Sequence, residues 1–144
     1  MSTPKDELIN LLLNNKDEFA AKKADLGDDT DLSEAELSGA DISDVDLSDI
    51  DFSGCILNGT NFSYATLNFC NFNEADMAGC VLNEAELTDS DFATSENLSA
   101  CRFDEGTIWP DNDKLPEDFD STYNYDLSSL QDEDENQSNN GFDY

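Results

Sequence analysis

Large apolar residues recur at every fifth position through the middle of this chain. Leu32, Leu37, Ile42, Leu47, Phe52, Leu57, Phe62, Leu67, Phe72, Met77, Leu82, Leu87 and Phe92 make thirteen consecutive units without a slip. Neither the 3.6-residue period of a helix nor the 2.0-residue period of a strand produces such a series. Two positions before each large residue stands a small or β-branched one: Thr30, Ala35, Ala40, Val45, Ile50, Cys55, Thr60, Ala65, Cys70, Ala75, Cys80, Ala85 and Ser90. The residue just before the large one is mostly acidic or Asn, and the one after it is usually Ser, Asn or Thr.

Two inward positions in five suit a chain that turns a corner after each unit. Four corners close a square coil of about twenty residues, and coils stack at the inter-strand spacing of about 4.8 Å. Backbone groups then pair with the coils above and below. Folding the sequence at twenty predicts inward columns of Leu32, Phe52, Phe72 and Phe92, of Leu37, Leu57 and Met77, of Ile42, Phe62 and Leu82, and of Leu47, Leu67 and Leu87. Gly39, Gly59 and Gly79 fall together in one corner column, where a tight turn favours a missing Cβ.

These units, of the A(D/N)LxX kind across residues 30 to 94, resemble the repeats of the pentapeptide-repeat proteins. The resemblance implies an all-β solenoid, a right-handed quadrilateral parallel β-helix. Some members of the family bind DNA gyrase or topoisomerase IV in place of DNA. No gyrase-contact residue is carried over onto this sequence, and a fold of this kind hosts many functions.

The period has two irregular steps. Leu26 to Leu32 and Phe92 to Leu98 are six residues each, after which Leu98, Phe103 and Ile108 resume at five. One extra residue within "ATSEN" explains the second step as a bulge-like insertion. The solenoid is therefore expected over residues 24–110, as about four coils. Residues 1–23 are expected to form an N-terminal α-helical cap of the kind a solenoid's exposed end requires. Thr3, Pro4 and Asp6 provide a helix start, Leu8, Leu11, Leu12 and Phe19 an apolar face, and Asn14-Asn15 a break. Trp109 reads as a plug over the last coil. Residues 111–144 read as an acidic, largely disordered segment in which Leu115 and Phe119 pack back on the body. Tyr123, Tyr125, Phe142 and Tyr144 could serve there as short anchors.

Catalytic chemistry finds little support, and the chain is not expected to be an enzyme. There is no histidine, which removes the commonest general base and metal ligand. No phosphate loop or nucleophile elbow occurs. Cys55, Cys70, Cys80 and Cys101 all take the small inward slot, where buried thiols pack as hydrophobes. Cys80 and Cys101 also lie on the same side of successive coils, within disulfide reach. No calcium loop is present, although "DLGDDTD" at residues 25–31 is dense in carboxylates. No cofactor and no metal are expected.

Charge is the other constraint. The chain carries 35 acids against 6 bases, a net charge of −29. That balance argues against direct nucleic-acid or membrane binding and favours basic protein partners. No signal peptide or membrane span is visible, so a cytoplasmic protein is expected. Between Ala24 and Cys101 eighteen acids have no lysine or arginine among them. Asp31, Asp51 and Asp91 share one column with Asn71, and Glu36, Asp41 and Asp46 add to the acidic surface. The leading expectation is a binding protein that offers this DNA-like surface to a basic, DNA-handling partner such as a type II topoisomerase. A solubilising role for the charge stays open, as does the oligomeric state. The alternative is a rigid scaffold or exported interaction module. Its contact would be a neutral aromatic band: residues 52–73 hold no acid, and Ile56, Tyr64, Phe69 and Val81 take outward positions in or beside that stretch.

Overall fold

From Thr30 to Glu96 the backbone returns to the same side of the coil every twenty residues. In the computed structural model, which describes residues 4–26, 30–117 and 119–121, strand β1 (Thr30–Asp31) pairs in parallel with strand β2 (Ile50–Asp51). Single parallel bridges continue the register, Glu36 to Ile56, Asp41 to Asn61 and Asp46 to Thr66. The next coil repeats it through Asp51–Asn71, Ile56–Asp76, Asn61–Val81 and Thr66–Glu86. Each side is so short that among the described residues regular strand is confined to β1 and β2, and elsewhere one bridge per side joins the coils. The backbone is nevertheless paired: Leu37 N donates to Ile56 O at 2.9 Å and Ile56 N to Ala35 O at 2.9 Å.

Corners follow from a turn closed across three residues, as where Cys55 N donates to Phe52 O at 3.1 Å. From Glu34 to Asp89 the third residue of each turn takes a positive φ, which Gly39, Gly59 and Gly79 adopt freely and other residues adopt against steric resistance.

The four inward columns fill the coil. Phe52 and Phe72 stack with centroids 5.0 Å apart, Phe72 and Phe92 at 4.5 Å, and Phe62 meets Phe52 and Phe72 edge-on at 6.0 Å. Leu37, Leu57 and Met77, and Leu47, Leu67 and Leu87, are likewise buried. The polar members of the small slot have a specific task. Cys55 Sγ donates to Leu32 O at 3.0 Å, Thr60 Oγ1 to Leu37 O at 2.7 Å, Cys70 Sγ to Leu47 O at 3.0 Å, and Ser90 Oγ to Leu67 O. Each thus gives a buried carbonyl of the preceding coil a hydrogen bond, beyond mere packing.

Two helices precede the coils. Helix α1 (Pro4–Asn14) and helix α2 (Lys16–Leu26) are separated at Asn15, whose Oδ1 accepts from Glu18 N while its Nδ2 donates to Glu18 Oε1. Leu8, Leu12 and Phe19 join the buried cluster, with Leu11 partly buried beside it. Lys5 Nζ donates to Ser33 O and Lys16 Nζ to Ser43 O, both at 2.9 Å. Helix α2 continues past residue 23, where the sequence places the boundary, and the first bridged residue is Thr30. Thr3 and residues 27–29 of the carboxylate-dense stretch lie outside the described residues.

At the other end the register slips twice. Asp76 still meets Glu96 at twenty, Val81 meets Arg102 at twenty-one, and Glu86 meets Ile108 at twenty-two. The first extra residue is Asn97, in left-handed backbone with its Nδ2 donating to Asp76 Oδ1 at 3.0 Å. The second arises in the Asp104–Thr107 turn, and it corrects the expectation for Ile108. That residue is 51% exposed and faces outward, while Trp109 takes the inward side. Trp109 meets Phe92 at 6.0 Å, Phe103 at 5.2 Å and Phe119 at 5.0 Å. The coil also passes residue 110: Phe92 N donates to Lys114 O at 2.7 Å, and Leu115 is buried. Tyr123, Tyr125, Phe142 and Tyr144, with most of the acidic segment 111–144, lie outside the described residues.

Candidate protein-interaction surface

Where an acidic residue stands just before an inward side chain, it often has a local reason to be there. Asp31 Oδ1 accepts from Ser33 N at 2.9 Å, Glu36 Oε1 from Ser38 N at 2.7 Å, Asp41 Oδ1 from Ser43 N at 3.2 Å, and Asp46 Oδ1 from Ser48 N at 3.0 Å. Asp51 and Asp91 repeat the bond to Ser53 N and Ala93 N. Asn61 and Asn71 make it too, to Ser63 N and Asn73 N at 2.9 Å. The bond needs an oxygen acceptor two residues before an N–H, which Asp and Asn supply equally. Fold geometry therefore accounts for an acceptor at these positions, and charge is the added feature.

The hydrogen bonds also set the ionisation. The Asp31, Glu36 and Asp41 carboxyls are held below their ordinary values, first by the Ser33, Ser38 and Ser43 side chains and then by those residues' N–H groups. Burial pushes Asp46 up, but Ser48 and Lys23 together hold it below the usual value. Lys5 lies 3.9 Å from Asp31 and Lys16 3.6 Å from Asp41, so the helices partly neutralise the first coil. Burial drives the thiols the other way, Cys55 to about 11 and Cys70 to about 12. For Cys80 the hydrogen bond with Cys101 comes first and burial second, and both push its thiol up. All four cysteines are free and buried, and so unsuited to nucleophilic work.

The acidic candidates do not converge on one patch. Asp31, Asp51 and Asp91 do form one column with Asn71. Glu36, Asp41 and Asp46 occupy the three other sides of the first coil, one each. Charge is concentrated in collars. Residues 31–50 carry seven acids, 51–70 carry Asp51 alone, and 71–90 carry five.

The neutral coil between these collars holds the exposed aromatic residues. Tyr64 and Phe69 are 63% and 60% exposed and stand at successive corners, at the two ends of the side centred on Leu67. Both have left-handed backbone, φ 60° and 63°. Such a φ costs a side chain with a Cβ about 1 kcal/mol, and bulky residues seldom adopt it. Ile56, at 41% exposure, lies on the opposite side of the coil, centred on Leu57. Val81 is half-buried on the side centred on Leu82. The structure thus brings Tyr64 and Phe69 onto one side and separates Ile56 and Val81 from them. Ile108, absent from the expected band, is exposed on the Tyr64–Phe69 side two coils further along. Its signal was hidden by the second register slip.

Among the described residues no group of His, Cys, Asp and Glu is placed to hold a metal ion. No described helix is long and apolar enough to cross a membrane.

The family described as pentapeptide repeats matches in eight copies, over residues 28–59 and 60–94. Among solved structures, the chain is similar to alr5209, a pentapeptide repeat protein from Nostoc Pcc 7120. The two are 30% identical over 58% of this chain and 69% of that one, with a TM-score of 0.49. It is also similar to Rfr23, a pentapeptide repeat protein from the cyanobacterium Cyanothece 51142. Identity is 28% over 55% of this chain and 63% of that one, with a TM-score of 0.28. A third is HetL, a pentapeptide repeat protein involved in heterocyst differentiation regulation from Nostoc sp. strain PCC 7120. Here identity is 23% over 59% of this chain and 44% of that one, with a TM-score of 0.34. The chain thus spans less than two thirds of the latter two. No curated protein matches it at a significant level.

Proposed function

The chain belongs to the pentapeptide-repeat family, whose fold is a right-handed quadrilateral β-helix, and on that premise we propose that it is a non-enzymatic binding protein whose rigid acidic surface engages a basic, DNA-handling protein. One observation carries the reading: the charge density of the coils. Fifteen acids lie between Asp31 and Glu96. At the coil spacing this stretch is about 16 Å long, or about one charge per ångström, against one per about 1.7 Å of duplex DNA. The carboxylates are fixed by their N–H partners on a core of stacked rings, so little flexibility is lost on docking. Binding of this kind is governed by electrostatic attraction and screened by salt. A type II topoisomerase such as gyrase is the first partner to test.

In this reading α1 and α2 are the cap that shields the first coil's apolar end, with Leu8, Leu12 and Phe19 as its contact. The site of action is the cytoplasm, where free buried thiols stay reduced.

The test replaces Asp31, Asp51 and Asp91 together by Asn, which retains the acceptor oxygen and so the turn. Competition with duplex DNA for the basic enzyme is then measured across salt concentrations. The reading predicts weaker competition and a shallower salt slope for the variant. Unchanged affinity and slope would sink it. A second reading, a scaffold or exported interaction module contacting partners through the neutral coil, is favoured by the exposure of Tyr64 and Phe69.

A further inference from the structure

Thirteen described residues have left-handed backbone at corners or at the inserted Asn97. Four are Gly, seven are Asp, Glu or Asn, and two are Tyr64 and Phe69. Folding gives no reason for the two rings. They are outside the core, and Gly, Asn or Asp meets the turn's requirement with less steric resistance. What surrounds them is regular. The twenty-residue register puts Asp44 and Glu84 one coil to either side of Tyr64, and Asp49 and Asp89 to either side of Phe69. Between the corners, Asp46 and Glu86 flank Thr66 in the same way. Two exposed rings therefore stand at the ends of one neutral strip, with three carboxylates along each edge.

That pattern has a complementary ligand. A guanidinium is planar, stacks on an aromatic face, and has N–H donors left in its plane for carboxylates on both sides. An ammonium satisfies the charge without the stacking. A second copy of this chain, at a net charge of −29, would set like charge against like.

We propose that the Tyr64–Phe69 side of the second coil is a docking surface for an arginine-bearing segment of a basic protein, with one guanidinium stacked at each ring and held by the carboxylates of the neighbouring coils. This deepens the proposed function, on which it rests, by naming the face and the side chain it reads.

The experiment titrates the full-length protein with a short Gly–Ser peptide carrying two arginines, and with its two-lysine counterpart, while NMR follows the ring resonances of Tyr64 and Phe69. The expected result is saturable shifts at both rings, with the arginine peptide several-fold tighter than the lysine one. The Tyr64→Asn/Phe69→Asn double variant should bind about tenfold more weakly. Asn accepts left-handed backbone, so this variant should melt no lower than the parent, and lost binding then cannot be ascribed to unfolding. The proposal is overturned by equal binding of the two peptides, by undiminished binding to the double variant, or by shifts confined to other residues. Ring shifts that depend on protein concentration without peptide would identify self-association instead, and would also overturn it. In any of these events, loss of DNA competition in the Asp31/Asp51/Asp91→Asn variant would still uphold the acidic binding surface. Its failure is therefore read separately.

Discussion

Phe72 lies parallel to Phe92, their planes 3° apart and their centroids separated by 4.5 Å, and Phe62 closes on Phe72 edge-on at 89°. Phe72 is thus held by the coils on both sides and by Phe62, which reaches it from the opposite wall of the preceding coil. Replacing it by Ala should cost about 3–5 kcal/mol, the range for a fully buried aromatic side chain. Urea denaturation checks this. A loss below 1 kcal/mol would mean that the column collapses around the gap.

The second register slip makes neighbouring residues unequal. Ile108 faces water and Trp109 joins the Phe92, Phe103 and Phe119 cluster. Ile108→Ser should change stability by less than about 0.5 kcal/mol, and Trp109→Ala should lower it by about 3 kcal/mol or more. Thermal melts of both variants decide the register. The opposite ranking would restore the five-residue spacing of Leu98, Phe103 and Ile108.

Acid should weaken the fold. The carboxyls of Asp31, Asp41 and Asp76 sit below 3.8 and that of Glu36 below 4.5 in the folded chain. The unfolded state therefore binds more protons across that window, and stability rises with pH through it. The contribution of these groups is complete above about pH 5 and is lost as pH falls through their depressed values. Denaturation midpoints at about pH 7, 5 and 3 and fixed salt should be level over the first step and fall over the second. A midpoint that rose at the acid end would show that relief of charge repulsion outweighs these hydrogen bonds.

The thiols should be silent in the native protein. Burial first of all raises Cys55 to about 11 and Cys70 to about 12. Folding therefore favours their protonated forms, a contribution complete below the ordinary 9.0 and lost as pH rises toward those values. Ellman's reagent at neutral pH should react with all four cysteines in denaturant and hardly at all without it. Rapid native reaction would place a thiol at the surface.

Much of this architecture was legible because the inward residues leave little freedom. Thirteen large side chains in phase define the twenty-residue register, and with it the Phe52–Phe72–Phe92 column and the Asp31–Asp51–Asn71–Asp91 ladder. The extra residue in "ATSEN" was legible for the same reason, since Leu98 regains the wall one position late. Ile108 misled because it and Trp109 are adjacent and both apolar, so periodicity could not choose between them. Only the Asp104–Thr107 turn, with Thr107 Oγ1 donating to Leu82 O at 2.8 Å, decides. Surface residues are not ordered by size, and their roles were harder to read. The sequence marks Ile56 and Tyr64 alike as outward, but membership of one side depends on which corner lies between them.

The turn that accepts Asp or Asn alike has an evolutionary consequence. The codons of the two residues differ by a single base, and either side chain closes the loop through the same oxygen, as Asp51 and Asn71 do in adjacent coils. Electrostatic character can thus change by point mutation with little penalty to the scaffold. Lineages are free to retune what the rod attracts while inheriting its shape intact.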